Sequence, residues 1–221
     1  MKIIGYDFDG VFINIENEKA KLFGAVLQKH WGVDPDQASD VWLLNLGTSR
    51  RHKFDLMYQN NFQKKLEEEI YQSLEQEFSN ILFHDYYPNV KLITETFETA
   101  RDLNNQLDLS FISSGIPHAE LNSIASRFKI DEYFDLILGT SLNFKSKIDH
   151  FDMITQKNCP SLGIFIGDGL EDMKIAKQFK YTAVGIPANH APQLLVEAGA
   201  DLICDFPFLK QEIKKLLLAS Q

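Results

Sequence analysis

Residues 1–11 read MKIIGYDFDGV, an apolar run that stops at two acids, one residue apart, followed by a glycine. A short, nearly continuous apolar run such as residues 2–7 is the pattern of a strand covered on both faces. Strand alternation puts the side chains of Asp7 and Asp9 on one side of the chain and Phe8 on the other. Ligands of open parallel sheets gather at the carboxyl ends of the strands, which is where this acidic pair falls. Two carboxylates so close repel each other and need a cation or a shared proton. Taken singly, the motif also reads as a solvated acidic turn opened by glycine.

Similar runs recur at residues 109–113, 136–139, 163–167 and 182–185. Helical stripes lie between them: Val90, Ile93, Phe97 and Ala100; Ile148, Phe151 and Ile154; Leu170, Met173, Ile175 and Ala176. Alternating strands and helices predict an α/β fold, a Rossmann-like doubly wound parallel sheet with right-handed crossovers. The stretch after the first strand breaks this rhythm. Residues 15–83 contain no convincing strand and read as successive amphipathic helices: Ala20, Phe23, Leu27 and Trp31; Val41, Leu44 and Leu46; Phe54, Met57 and Tyr58; Phe62, Leu66, Ile70, Leu74 and Phe78. The reading is therefore an α/β core of residues 1–14 and 86–221 with an inserted all-helical cap of residues 15–85. Tyr87-Pro88-Asn89 marks the return, with the proline expected to open the next helix.

Composition bounds the function. The 221 residues are 44% hydrophobic and 24% charged, as in an ordinary globular chain, and carry a formal charge of −9. A surface this acidic repels phosphate backbones and anionic lipid, which argues against nucleic-acid and membrane partners. The acids near the N-terminus interrupt what a signal peptide would need as an apolar run, so a cytoplasmic location is expected. Cys159 and Cys204 share no metal-binding or redox spacing and read as reduced thiols. Monomer and homodimer are both compatible with the sequence.

Three further segments bear on the acidic pair. Gly167-Asp168-Gly169-Leu170-Glu171-Asp172 follows the fourth run, so Asp168 again ends a strand and Asp172 begins the next helix. Asp7, Asp9, Asp168 and Asp172 would form a hard-oxygen site suited to Mg2+. The alternative for Asp172 is an acid favoured by the helix dipole. Ser113-Ser114-Gly115 ends the second run, where a hydroxyl and free amides at a helix start cradle phosphate; serine and glycine also end strands for turn reasons alone. Lys145-Ser146-Lys147 precedes the fourth run. Lys147 is preferred over Lys145 as the site lysine because the helical stripe starts directly after it.

In this order, Asp-x-Asp-Gly-Val, a strand-terminal serine, a lysine and Gly-Asp-x-x-x-Asp resemble the haloacid dehalogenase superfamily, in the branch of phosphoglycolate phosphatase and β-phosphoglucomutase. The resemblance implies Asp7 as nucleophile and Asp9 as the acid that protonates the leaving oxygen and then activates water. It implies Mg2+ held by the Asp7 carboxylate, the Asp9 carbonyl and Asp168, with Asp172 supporting. Ser113, Ser114, Gly115 and Lys147 would hold the phosphoryl oxygens. Gly47-Thr48-Ser49-Arg50-Arg51 is similar to the specificity loop of such caps, with Arg50 or Arg51 gripping substrate; salt bridges to the acidic cap are the alternative for both. Ser49 reads as a helix cap.

The expected activity is hydrolysis of a small phosphate monoester, such as a sugar phosphate or phosphoglycolate, through an aspartyl-phosphate. Phosphomutase, nucleotidase, phosphonate hydrolase and an inactive binding module are the alternatives. Lys19 stands where the mutases carry a histidine, which argues against a mutase. A phosphonate hydrolase would want a cap lysine able to form a Schiff base, for which Lys19 or Lys21 offer themselves without distinguishing surroundings. Asp9 favours phosphoester chemistry over dehalogenation. His118, beside the phosphate cradle, reads as a surface helix residue.

Overall fold

A computed structural model describes residues 1–157 and 160–219. Six strands form one sheet in the order β3-β2-β1-β4-β5-β6, every neighbouring pair parallel. They are β1 (Lys2–Tyr6), β2 (Leu109–Pro117), β3 (Leu136–Thr140), β4 (Leu162–Gly167), β5 (Thr182–Gly185) and β6 (Leu202–Ile203). The two-residue β6 has no counterpart among the expected strands, because three apolar residues between Asp201 and Asp205 carry no readable period. Alternation sorts consecutive side chains onto the two faces. Ile4, Tyr6, Ile112, Ile164 and Ile166 join one buried cluster; Ile3, Phe111 and Phe165 join the other.

The first strand lies between β2 and β4, with Tyr6 in register with Ile112 and with Ile166. Asp7 extends the ladder by one residue through its amide to the Ile166 carbonyl (2.8 Å). The first acid therefore leaves the sheet at its centre.

Four helices lie between β1 and β2: α1 (Glu16–Trp31), α2 (Pro35–Leu44), α3 (Arg50–Phe62) and α4 (Glu68–Ile81). The turns between them are local chemistry. Gly32 ends α1 at φ +66°, Asp34 caps α2 with its carboxylate ahead of Pro35, and Ser49 caps α3 through the His52 amide (3.2 Å). Their shared interior is aromatic, with Phe23 packed on Trp42 and Phe54 (5.1 and 4.9 Å between ring centres) and Trp42 on Phe78 (5.3 Å). Rings of this kind each contribute on the order of 1.5–3 kcal/mol by burial alone. One expected stripe is broken: Phe62 closes α3, Gln63 turns left-handed at φ +54°, and Leu66 packs from the connection before α4 begins.

The chain returns later than its periodicity implied. A π-helical turn (Leu82–Tyr86) and a 3-10 turn (Tyr87–Asn89) precede α5 (Thr94–Leu103), so Val90 and Ile93 lie before the helix. The reason is pairing between the two connections. Leu92 bridges Ile13, and the Ile93 amide donates to the Phe12 carbonyl (2.7 Å), which holds this segment extended. The remaining helices, α6 (His118–Arg127), α7 (Lys147–Lys157), α8 (Leu170–Gln178), α9 (Pro192–Glu197) and α10 (Leu209–Ala219), complete the layers around the sheet. No described helix is long and apolar enough to cross a membrane. Cys204 is a buried free thiol; Cys159 lies outside the described residues.

Candidate active site

The floor of the site is made by strand ends. Carboxylate oxygens of Asp7, Asp168 and Asp172 lie within 4.8 Å of one another, all buried. Lys147, the first residue of α7, puts its ammonium 2.9 Å from Asp7 Oδ1 and 2.5 Å from Asp172 Oδ1. Asp172 Oδ2 accepts the Gly169 amide (3.1 Å), and Asp168 Oδ2 accepts Asn189 Nδ2 (2.6 Å). Gly10 explains how the loop after Asp9 passes so near. Its φ is +71°, and a Cβ there would fall 2.0 Å from Asp168 Oδ2. Lys145 is exposed and takes no part in this cluster.

Burial raises the Asp7 carboxyl to about 7; the Asp172 charge adds to this, and Lys147 opposes it. Burial, reinforced by Asp7, also raises Asp168 well above the usual carboxylate range. Clustered oxygens with more negative charge than one lysine neutralises form a hard donor set, and a divalent cation such as Mg2+ fits it.

Asp9 stands beside this floor. Lys19, buried on α1, pairs with Asp9 Oδ1 and lies 3.4 Å from Glu16, whose carboxylate also accepts Trp42 Nε1 (2.7 Å). Burial raises Asp9 to about 7, with Lys19 as the largest opposing influence. Lys19 itself is held above its ordinary value: burial works against it, and Asp9 and Glu16 outweigh burial. A carboxyl near neutrality can both give and take a proton at working pH.

The expected phosphate cradle divides. Ser114 and Gly115 line the cavity, whereas Ser113 does not. The Ser113 hydroxyl lies 2.9 Å from His150 Nδ1, and His150 Nε2 lies 3.2 Å from the Gly139 carbonyl. Burial lowers His150 to about 4, so the ring is neutral. With Nε2–H given to the carbonyl, Nδ1 accepts, and the Ser113 proton points at His150 rather than into the cavity. His118 is exposed and bonded to Asn122.

The roof is the loop from Leu46 to Ser49 and the start of α3. A Cβ on Gly115 would lie 2.3 Å from the Thr48 carbonyl oxygen, and one on Gly169 would lie 2.7 Å from that of Leu46. Both glycines admit the loop's backbone. What remains between floor and roof is a cavity of about 30 Å3, room for about two waters.

The two candidate arginines do not sit as expected. Arg50 is buried, with guanidinium bonds to Glu120 Oε1 and Oε2 (2.8 and 2.9 Å) and to Ser79 (2.7 Å). It touches the cavity edge, but its charge is satisfied by Glu120 of α6. Burial raises the Glu120 carboxyl; Arg50, Tyr87 and Ser79 overcome this and bring it to about 2. Arg51 points away from the cavity, onto Asp55, Glu68, the Leu66 carbonyl and the Tyr71 ring. Sequence alone does not single out Glu16, Lys53, Glu120, His150 or Asn189, and it marks Lys19 only as the position of the mutase histidine and as a Schiff-base option. Only the α1 spacing of Glu16 and Lys19 carried a local signal, as a helix pair.

Comparison with known proteins agrees with this architecture. The family model described as haloacid dehalogenase-like hydrolase matches residues 4–186, and the chain belongs to that family. The sequence matches no curated protein. Among solved structures, a predicted phosphatase from Clostridium acetobutylicum shares 19% identity at a TM-score of 0.75, over 97% of this chain and 98% of that one. A predicted phosphoglycolate phosphatase from Haemophilus somnus shares 19% at 0.73, over 96% and 98%. A haloacid dehalogenase-like family hydrolase from Streptococcus pneumoniae shares 19% at 0.71, over 97% and 98%. At these identities the likeness is one of fold.

Proposed function

We propose that this hydrolase is a Mg2+-dependent phosphatase that releases phosphate from a small monoester through a covalent intermediate on Asp7. The juxtaposition of Asp7 with Lys147, Asp168 and Asp172 at adjoining strand ends carries the reading. Residues 1–14 and 86–221 act as the core and residues 15–85 as its cap. The family resemblance and the phosphatases among the similar structures support the same class.

In the first step an Asp7 oxygen attacks phosphorus, the bond from phosphorus to the ester oxygen breaks, and Asp9 gives its proton to that oxygen. In the second, Asp9 takes a proton from water as the water oxygen attacks phosphorus, and Asp7 leaves as a carboxylate. Lys147 neutralises charge on Asp7 throughout, and the amides and hydroxyl of the Ser114–Gly115 segment of β2 receive phosphoryl oxygens. Asp7, Asp168 and the Asp9 carbonyl would hold Mg2+, with Asp172 kept in place by Lys147 and Gly169; the ion supplies further charge neutralisation. A two-water cavity cannot admit an ester, so the roof must lift for substrate and reseat to exclude water. The acidic charge supports a soluble small-molecule partner and a cytoplasmic setting.

A magnesium-supplemented phosphate-release screen over sugar phosphates, phosphoglycolate, nucleoside monophosphates and p-nitrophenyl phosphate tests the reading. Release that EDTA abolishes and Mg2+ restores is expected. No release from any ester, or release indifferent to EDTA, would sink it. A second reading, cleavage of a phosphonate, draws on one observation: a cap lysine with a lowered pKa, which is Lys53 rather than the salt-bridged Lys19 or the exposed Lys21.

A further inference from the structure

The alcohol half of a bound ester must lie against Asp9, since Asp9 protonates its oxygen. The groups around Asp9 on the roof side are therefore those that meet this half: Lys19, Glu16, Trp42 and Lys53. Their charges are unequal in availability. Lys19 is neutralised by Asp9 and Glu16, and Arg50 by Glu120. Lys53, in the first turn of α3, is 95% buried and lines the cavity, yet no described carboxylate lies within ion-pair distance of it. Its ammonium makes one described hydrogen bond, to the Thr48 carbonyl (3.1 Å), and rests 4.5 Å from the centre of the Trp42 ring. An ammonium has three donors. The Thr48 carbonyl takes one and the Trp42 ring covers another direction, while the residue lines the cavity next to where the leaving group must sit.

A buried cation without a counter-ion is costly, and a ligand that supplies the missing charge recovers that cost on binding. We propose that Lys53 is a specificity-determining residue that pairs with a second anionic group, a carboxylate or a further phosphate, on the alcohol half of the substrate. The inference rests on the phosphatase reading and narrows its substrate class to esters that are anionic at both ends. The seat is short-range. The Thr48 carbonyl that accepts from Lys53 is the same atom that presses on Gly115 beside the phosphate cradle. The second charge thus belongs on a leaving group of a few atoms.

Burial, opposed by Glu16 and Asp9 and aided by Lys19 and Lys147, lowers Lys53 to about 8. The amine is mostly charged at pH 7 and loses its proton as pH rises through about 8. A carboxylate or phosphate stays ionised over that range, so the pairing is present below about 8 and lost above it.

The experiment compares kcat/KM for phosphoglycolate with that for ethyl phosphate, which lacks the carboxylate. The wild-type protein is expected to favour phosphoglycolate, and Lys53→Met to lower that ratio roughly 10- to 100-fold, as expected for a lost charged hydrogen bond. Lys53→Arg should keep most of it. Should Lys53→Met not fold, the wild-type pH profile decides the matter, because Asp9, Glu16, Lys19 and Lys147 act on both esters and cancel in the ratio. The ratio is expected to fall between pH 7 and 9.5. A ratio flat with pH, or one that Lys53→Met leaves within twofold, overturns the proposal. So does borohydride inactivation in the presence of phosphonoacetaldehyde, which would assign Lys53 a covalent role. None of these outcomes touches Mg2+-dependent release from p-nitrophenyl phosphate; loss of that release overturns the phosphatase reading instead.

Discussion

Lys147 and Arg50 are both buried cations gripped by carboxylates, on opposite sides of one cavity. Lys147 draws its partners, Asp7 and Asp172, from the end of β1 and the first turn of α8, at 2.9 and 2.5 Å. Arg50 draws Glu120 from the far side of a seam, reaching from α3 of the cap to α6 of the core, with Ser79 and Tyr87 bonded to the same carboxylate (2.7 and 2.6 Å). The first pair leaves its acids facing the reacting group. The second spends its charge on joining two layers. Equal burial and like charge thus serve chemistry in one case and closure in the other, and only the partners distinguish them.

Four measurements press on this contrast, from the largest effect to the smallest. Asp7→Asn should lower phosphate release from p-nitrophenyl phosphate by about 10^4-fold or more while leaving the melting temperature close to wild type, as removal of a covalent nucleophile does elsewhere. Activity near wild type would remove Asp7 from the role assigned to it.

Glu120→Ala strands the Arg50 guanidinium in the seam and should cost about 3–5 kcal/mol in denaturant unfolding. If turnover collapses with stability intact, Arg50 serves substrate rather than the joint. Glu120 also sets an acid limb. Its pKa falls on folding from 4.5 to about 2, so its contribution is full above pH 4.5 and lost as pH drops toward 2. Glu120→Gln should flatten that part of the stability profile.

Gly115→Ala puts a methyl group 2.3 Å from the Thr48 carbonyl and should hold the roof off its seat. A fall of roughly 100-fold in kcat/KM is expected, in line with misplacement by about 1 Å, with little change in melting. A neutral effect would mean that closure does not need this contact.

Mg2+ should act by charge. Asp7 and Asp9 rise from 3.8 to about 7 on folding, so the metal-free fold loses stability as pH climbs from 3.8 to about 7, where the loss is complete and both acids are ionised in the fold. Magnesium at about 100 times its pH 8 Kd should stabilise the fold by about 2–3 kcal/mol at pH 8 and, at the same concentration, by less at pH 6, read as a smaller rise in melting temperature. An equal shift at both pH values would place the ion elsewhere.

Much of the core could be read from residue types. The five longer strands, their parallel order and the helical insertion follow from apolar runs and periodicity, because a buried strand or helix face needs a pattern that repeats along the chain. Local caps at Asp34 and Ser49 also answer to short-range chemistry. The two-residue β6 and the extended segment before α5 escaped because neighbours supply their hydrogen bonds. Cys204 Nα–H, for instance, bonds the Gly185 carbonyl, and Ile93 bonds Phe12.

The site divides along the same line. Asp7, Asp9, Asp168, Asp172 and Lys147 were legible because each stands at the end of a strand or the start of a helix, and a parallel sheet brings such ends together whatever lies between. The roof was not legible. Arg50 and Arg51 are the evident cations of the Leu46–Arg51 turn, but their pairing with Glu120 and with Asp55 and Glu68 is decided by which helix packs on which. That same packing leaves Lys53 buried with no described carboxylate at ion-pair distance. Residue types and their spacing by themselves determined the acidic floor and the fold that assembles it. Only the tertiary structure decided which buried cations are paired with carboxylates and which, among the described residues, is not, because neutralisation in a buried site depends on distances across the chain that no local pattern encodes.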